Sequence, residues 1–283
     1  MVVHEMWNGR GRGHLNIVET QAYRTLRSLE QRGLINQQDS FLIVFAGDFD
    51  QELFNALGYM NCTFSSMDMS TKLALIEVDA TEIPFEANSF DHVFAHAGLH
   101  HAIQPHKAIC DMYRVARKSV IGFEAQDSFI MRVLAYIGGI STYEWNAIIY
   151  SGWERGGADD GLIPNHVYRW NRREVIKLIR SLDPAHKPNI LFFREWSLYW
   201  ERFKVRLNAS PLRFLPDGMV HLIFTVMRLC ANGMFGSQGN LMAFWIAKGG
   251  QGCHSWIEHS SGDSRLAKNT LLQKGLLGGR GQL

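Results

Sequence analysis

The chain has few cysteines, and none of them forms a pair. The four cysteines stand at positions 62, 110, 230 and 253, so the sequence contains no CxxC motif. Disulfide-stapled secreted domains and cysteine-rich zinc sites both depend on such spacing. We also find no basic and apolar leader at the start of the sequence. The cysteine usage therefore predicts a reduced, cytoplasmic protein.

Neither sign of charge is in clear excess. Lys and Arg number 29 and Asp and Glu number 27, which gives a formal net charge of +2 over 283 residues. A nucleic-acid-binding surface needs a basic stripe, and a disordered chain needs low hydrophobicity with a large net charge. With 46% hydrophobic residues, the chain can bury a large core. We expect a folded protein with no nucleic-acid partner.

The sequence also lacks an apolar run long enough to span a bilayer. The most apolar stretch, residues 219–231, is shorter than the roughly 20 residues of a spanning helix. His221, Thr225 and Arg228 recur in this stretch at helical spacing. We therefore expect an amphipathic helix on the surface and no transmembrane segment, with membrane contact as the less favoured alternative.

What the sequence does have is a series of short apolar runs that predict seven strands. The runs lie at residues 41–47, 62–68, 73–80, 90–98, 119–125, 189–200 and 240–249. Helical signals separate several of them, including Pro105, which suits the first turn of a helix. Strands that alternate with helices predict a doubly wound, mostly parallel α/β sheet.

Composition divides the chain into three parts. Residues 1–40 contain apolar positions at helical spacing and form a predicted N-terminal helical extension. Residues 41–250 hold the predicted sheet, with insertions at 126–170 and 201–236 over the edge where its strands end. Residues 251–283 have weak periodicity, and we expect a mobile or loosely docked tail.

Three positions follow predicted strands at the edge where such sheets bind ligands. Gly47, in the turn AGDFD, lets the backbone approach a ligand closely. Asp68 follows the second strand, where a carboxylate can accept two hydrogen bonds from a ribose diol. Asp79 follows the third strand. Each signal is weak alone, because a single glycine or an aspartate that caps a turn is common.

A group of histidines follows the fourth predicted strand. His96, His100 and His101 lie within six residues, and His106 follows. This spacing fits no standard zinc pattern, so we predict no metal site. An imidazole with a pKa near 6.5 suits a general base, although His100 and His101 could instead only pack the turn.

The order of these motifs resembles the class I S-adenosylmethionine-dependent methyltransferases, and most closely their type-11 subfamily. The resemblance covers about residues 41–180. It is carried by AGDFD, VDATEIPF, SFDHVF and GLHHAIQPHKAICDMYRVARKSVIGFEAQDS. A further stretch, NHVYRWNRREV at 165–175, resembles a C-terminal block of uncharacterised bacterial relatives.

The resemblance implies a Rossmann-like, seven-stranded sheet whose last strand is antiparallel and inserted beside its neighbour. It also implies S-adenosyl-L-methionine as the cofactor, bound over the ends of the first three strands. Carried over by position, Gly47 faces the methionine part, Asp68 the ribose hydroxyls and His96 the methyl group. The residues expected at the cofactor are Ala46, Gly47, Asp48, Asp68, Met69, Asp79, Ala80 and His96.

Two features depart from the family pattern. The family loop reads GxGxG, whereas Phe45 and Phe49 occupy two of its glycine positions here. A large side chain there either turns away from the cofactor or crowds it. The segment between Asp68 and Asp79 is also short, so the usual second helix is missing.

The activity implied by the resemblance is methyl transfer to an oxygen or nitrogen of a small-molecule or saccharide acceptor. We predict that His96, His100 or His101 is the catalytic base, with Glu124 or Asp127 at the end of the fifth strand as the runner-up. Two matters stay open at this point. The chain could be an inactive methyltransferase-fold binding or scaffold protein, and it could form a homodimer.

Overall fold

The computed structural model describes residues 17–67, 75–183, 189–198, 200, 203–204 and 214–249. Asp68 and Met69, predicted at the cofactor, lie outside these residues, as does the predicted tail.

A seven-stranded sheet forms the centre of the protein. Strands in chain order are β1 (Phe41–Val44), β2 (Cys62–Ser66), β3 (Ile76–Glu77), β4 (Phe90–His96), β5 (Ala116–Ala125), β6 (Tyr143–Glu144), β7 (Asn165–His166), β8 (Ile190–Glu195) and β9 (Leu241–Ala247). The order in the large sheet is β3-β2-β1-β4-β5-β9-β8, and β6 pairs separately with β7. Within the large sheet β9 is antiparallel to both β5 and β8, and the other pairs are parallel. The predicted fold class is confirmed.

Helices cover both faces of the sheet. They are α1 (Gln21–Gln31), α2 (Asp48–Leu57), α3 (Pro105–Val115), α4 (Phe129–Tyr136), α5 (Trp145–Tyr150), α6 (Arg172–Leu182) and α7 (Asp217–Phe235). Side-chain caps begin three of them, because Thr20, Ser128 and Asn171 each accept a hydrogen bond from a backbone N–H of the first turn. Pro105 opens α3, as its fixed backbone angle favours.

The core has two halves, one on each face of the sheet. On one face α3 and α6 pack against the strands, with Met112, Trp170 and Ile179 fully buried. On the other face α1 and α2 pack, with Leu29 and Phe54 fully buried. The central strands β1, β4, β5 and β9 are largely apolar on both sides because helices cover both of their faces.

The N-terminal helix α1 is tied to the far edge of the sheet. Gln21 donates from Nε2 to the backbone oxygen of Phe193 at 3.2 Å. Arg24 binds both carboxylate oxygens of Glu195 at 2.7 Å. The helix α1 therefore lies on the same face of the sheet as α2 and holds β8 in place.

Several predicted boundaries differ from the structure. The predicted strand at 73–80 pairs only over β3, and the one at 189–200 ends with β8. The backbone N–H of Trp196 turns away to the side chain of Asn232, and that of Ser197 to Asn240. The sequence contains no signal for these long-range partners.

The helix α7 is longer than the predicted 219–231 and lies largely exposed. Of its residues, Val220 and Phe224 are buried. The segment Asp217–Gln238 is, among the described residues, the one helix long and apolar enough to cross a membrane by length and composition, with 11% of its apolar window buried.

A glycine in β5 gives a test of this packing. A Cβ added at Gly122 would lie 2.1 Å from Cζ of Phe244, whose ring covers the glycine from β9. We expect Gly122→Ala to lower the free energy of unfolding by about 1–3 kcal/mol through overpacking. Urea denaturation measures this change.

The control is Gly233→Ala, where nothing lies within 4 Å of the added Cβ. This change inside a helix should raise the stability by up to about 1 kcal/mol. The double variant Gly122→Ala/Phe244→Leu should lose less stability than the sum of the losses in the two single variants, because leucine lacks the clashing ring atom. Fully additive costs would contradict the packing described.

Candidate active site

Two strained residues lie side by side at the carboxyl ends of neighbouring strands. Phe45, after β1, has φ 55°, and Ala97, after β4, has φ 47°. Non-glycine residues in this left-handed region each cost about 1–3 kcal/mol, and such strain gathers at functional sites. The backbone at Phe45 therefore keeps a conformation that a glycine would adopt without strain.

The side chain of Phe45 is accommodated by a neighbouring glycine. A Cβ added at Gly98 would lie 2.3 Å from Cβ of Phe45. Phe45 packs against the core half that contains α3. Phe49 packs against the other half, and its ring centroid lies 4.9 Å from that of His96. The two phenylalanines of the eroded loop thus pack on opposite faces of the sheet.

A buried carboxylate joins the turn after β1 to the end of β4. Oδ2 of Asp50 accepts a hydrogen bond from the backbone N–H of Gly47 at 2.9 Å. Oδ1 of the same carboxylate lies 3.1 Å from Nδ1 of His96. The side chain of Asp50 is 1% exposed and that of His96 is 15% exposed. Asp50 therefore sets the orientation of the His96 ring.

Aromatic rings enclose the rest of His96. The ring centroids of Phe49, Phe94 and Phe123 lie 4.9, 6.2 and 5.5 Å from its centroid. This apolar surrounding limits the access of water to the imidazole and strengthens its interaction with the Asp50 carboxylate.

A second buried carboxylate, Glu124, holds the turn that follows β4. Its Oε1 accepts a hydrogen bond from the backbone N–H of Leu99 at 2.7 Å. Its Oε2 lies 2.8 Å from Nδ1 of His100. Both side chains are almost fully buried, so this pair fixes the position of the turn rather than facing an open site.

The hairpin formed by β6 and β7 adds Glu144 and Asn165 to this network. Oε1 of Glu144 lies 3.4 Å from Nε2 of His100, and Oε2 lies 3.6 Å from Nε2 of His101. Nδ2 of Asn165 donates to Nδ1 of His101 at 2.6 Å. His101 is the more exposed of the two histidines, with 32% of its side chain accessible.

The carboxylates keep His100 charged in spite of its burial. Burial lowers the pKa of His100 because it disfavours the imidazolium, but the charges and hydrogen bonds of Glu124 and Glu144 outweigh burial and raise the pKa to about 10. His100 is therefore protonated at neutral pH and neutralises one of the two buried carboxylates.

This network is also where a metal could bind. His100, His101 and Glu144 each offer a ligand atom within 4.8 Å of the others. A metal would have to displace the proton of His100, whose pKa is raised to about 10. The geometry favours the protonated ion-pair network, and the absence of a metal site stays a prediction.

The described residues predicted at the cofactor lie along the edge formed by the ends of β1, β3 and β4. Asp48 and Asp79 are exposed, whereas Ala46 and Ala80 are buried. Oδ1 of Asp79 accepts a hydrogen bond from the backbone N–H of Thr81 at 2.7 Å. Exposed carboxylates suit a ligand that carries a sulfonium, an ammonium group and a ribose diol, so this edge fits S-adenosylmethionine.

The structure brings in three residues that the sequence reasoning missed. Asp50 had a local signal, since an aspartate three residues after an N-cap glycine suits a capping interaction. Glu144 and Asn165 had none, because they lie on a short hairpin far along the chain from the histidines. Asp127 does not join this network, and its Oδ1 lies 3.6 Å from Nε of Arg132.

A family model matches the centre of the chain. Residues 43–121 match a family described as a methyltransferase domain. The matched segment runs from β1 into β5 and includes Gly47, Asp50, His96 and His100. No curated protein matches the chain.

Several solved structures are similar to this chain at low identity. A S-adenosylmethionine-dependent methyltransferase from Archaeoglobus fulgidus is 12% identical, with 80% of this chain and 94% of that chain covered and a TM-score of 0.46. The YcgJ protein of Bacillus subtilis is 11% identical, with 80% of this chain and 98% of that chain covered and a TM-score of 0.47. The phosphoethanolamine N-methyltransferase 2 of Haemonchus contortus, solved with S-adenosylhomocysteine, is 14% identical. The similarity covers 81% of this chain and 53% of that chain, with a TM-score of 0.42.

The assignment rests on the sequence match together with the strand order, in which β9 is antiparallel between β5 and β8. This order agrees with the sheet that the type-11 resemblance implied. The match over residues 43–121 and this strand order support a class I S-adenosylmethionine-dependent methyltransferase of the type-11 kind, with S-adenosylmethionine as its cofactor.

Proposed function

We propose that the protein methylates an oxygen or nitrogen of a small-molecule or saccharide acceptor, with His96 as the general base. The observation that carries this proposal is the pair formed by Asp50 and His96, at 3.1 Å, between the ends of β1 and β4. An imidazole oriented by a buried carboxylate is a common arrangement for proton abstraction.

The acidic residues at the same edge would hold the cofactor. Asp48 lies at the start of α2, and Asp79 follows β3. The sequence places Asp68 after β2, in position for the ribose hydroxyls. When bound, S-adenosylmethionine supplies a methyl group that its sulfonium has already activated.

The chemistry left to the protein is orientation and proton removal. Asp50 accepts the Nδ1 proton of His96, which makes Nε2 the nitrogen that takes a proton from the acceptor. The Asp50 carboxylate then stabilises the imidazolium that forms. The rings of Phe49, Phe94 and Phe123 keep this proton transfer out of bulk water.

His100 and Glu124 act as positioning residues in this proposal. Their side chains are buried, so neither reaches an acceptor. Together they hold the turn that carries His101, whose ring centroid lies 4.6 Å from that of His100. His101, fixed by Asn165, is the histidine of this turn that orients an acceptor.

The insertion after β5 offers a surface for the acceptor. Tyr143, Trp145 and Trp153 expose 44%, 49% and 60% of their surfaces beside the β6–β7 hairpin. Exposed aromatic faces stack on sugar rings and flat ligands. This supports a small, ring-containing acceptor.

The first test concerns the cofactor. S-adenosylhomocysteine at a hundred times its dissociation constant should stabilise the protein by about 2.7 kcal/mol in thermal unfolding. Asp79→Asn should weaken this binding, because the amide keeps the turn contact with Thr81 but loses the charge. Glu77→Gln removes another exposed carboxylate, in β3, and should bind as the wild type does. Equal losses in both variants would count against the Asp79 assignment.

The second test concerns the base. His96→Gln should lower kcat by about 10²–10⁴-fold, the usual contribution of a general base, with little change in the affinity for S-adenosylhomocysteine. Asp50→Asn should lower kcat less and shift its pH profile. The assay measures S-adenosylhomocysteine formed with a panel of sugars and small amines.

The control for the base is His221→Gln, which replaces an exposed histidine of α7. Its kcat should stay close to that of the wild type. If His96→Gln keeps the wild-type kcat for the best acceptor, His96 is not the base.

The third test uses the pKa of His100. Because the folded pKa of about 10 exceeds the ordinary 6.5, the native state keeps a proton that the unfolded chain releases between these values. The free energy of unfolding should therefore fall as the pH rises from about 6.5 to 10. His100→Gln should lose this dependence, whereas His106→Gln, at a more exposed histidine, should keep it. Parallel pH profiles for the wild type and His100→Gln, measured by urea denaturation, would refute the charged pair.

A further inference from the structure

The helix α7 presents a broad apolar face to the outside. The exposed apolar residues that share this face are Met219, Leu222, Ile223, Val226, Met227, Leu229 and Met234. At 3.6 residues per turn these positions share about half of the helix circumference. Leu222 and Leu229 expose 62% and 65% of their surfaces. An ordinary surface helix turns such a face to the core, and α7 turns it outward.

The other sides of α7 explain why it takes this orientation. Phe224 packs against the rings of Trp200 and Phe203, with centroids 5.5 and 5.2 Å away. The polar residues His221 and Arg228 lie beside this contact, and the ring centroid of His221 is 5.0 Å from that of Trp200. The helix α7 is therefore amphipathic, and none of the residues that the structure describes covers its apolar face.

The short helix α4 adds a second exposed apolar face beside the end of α7. Phe129, Val133, Tyr136 and Ile137 recur at helical spacing, and Tyr136 is 92% exposed. The start of α4 is tied to the residues that follow α7: Oγ of Ser128 donates to the backbone oxygen of Gln238 at 2.9 Å. The two apolar faces therefore belong to adjoining parts of the surface.

A basic groove of about 920 Å³ opens at this junction. Phe129 of α4 and Gln238, which follows α7, lie in its wall. Its exposed basic residues are Arg132, Arg172, Arg173, Lys177 and Arg194. Its two acidic residues already have partners, because Asp127 faces Arg132 and Glu174 binds His106. The groove therefore carries excess positive charge on a chain whose net charge is only +2.

We propose that α7, α4 and this groove form a docking surface for an anionic membrane. Amphipathic helices lie in the plane of a bilayer surface with the apolar face in the acyl boundary, and nearby Lys and Arg bind anionic headgroups. The 19 residues of α7 give it a length of about 28 Å, enough for a stable interfacial contact. Because one side of α7 is polar, we expect the helix to lie in the plane of the membrane surface rather than to cross the bilayer.

The charge of the groove selects a membrane over a second copy of the chain. In a twofold dimer built on an antiparallel pair of α7 helices, the two basic grooves lie at opposite ends of the interface, so neither meets a counter-charge. An anionic lipid surface supplies that counter-charge. A second copy of the chain is the other outcome that the test distinguishes.

Vesicle flotation of the full chain tests this proposal. The wild type should float with phosphatidylcholine vesicles that contain phosphatidylglycerol, and much less with phosphatidylcholine alone. Leu222→Gln/Leu229→Gln should weaken binding by at least about tenfold, because two large apolar side chains no longer enter the acyl boundary. Arg173→Gln/Lys177→Gln should weaken it by about fivefold per charge and reduce its salt dependence.

The control is Met60→Gln, which changes an 85% exposed apolar residue after α2 and should bind vesicles as the wild type does. Binding of S-adenosylhomocysteine, measured on the same samples, reports folding and separates this test from that of methyl transfer. Failure of the wild type to float, or equal binding by the leucine variant, would overturn the proposal. So would a change of the leucine variant from dimer to monomer in sedimentation with unchanged flotation.

Discussion

The carboxylate of Glu124 is the contact on which the active-site edge depends. One oxygen holds the backbone of Leu99 and the other holds His100, so the end of β5 fixes the turn that follows β4. His100 also contacts Glu144, so this network positions the β6–β7 hairpin as well. A buried carboxylate is tolerated there because it is paired with a charged imidazole and hydrogen-bonded on both oxygens. Removing His100 would leave the Glu124 carboxylate uncompensated in the core.

The sheet could be predicted from the sequence because its signals are local. Apolar runs such as 41–47 and 119–125 need burial on both faces, and Pro105 and Gly58 mark where helices begin and end. The boundaries that failed depend on distant partners. The predicted strand 189–200 stops at Glu195 because Asn232 and Asn240 capture the next two backbone N–H groups, from 36 and 43 residues away.

The site was predicted less completely because its contacts also join residues that are distant in the sequence. His96 stands at a strand end that the motif order identifies, but its partner Asp50 lies on the helix after β1, and the contact forms only when the strands pair. The two phenylalanines of the loop looked like obstacles in sequence. In the structure Phe45 uses a left-handed backbone and the space over Gly98, which no pattern in the chain reveals. The outward face of α7 was also hidden, because periodicity gives an apolar face but not its direction.

Hydrogen–deuterium exchange with S-adenosylhomocysteine tests the central claim, which is that the cofactor lies over the ends of β1, β3 and β4. The account predicts slower exchange at residues 45–50, 78–81 and 96–98 when the ligand is present, and unchanged exchange in α7. Protection confined to the basic groove between α4 and α6, or no protection at saturating ligand, would contradict it.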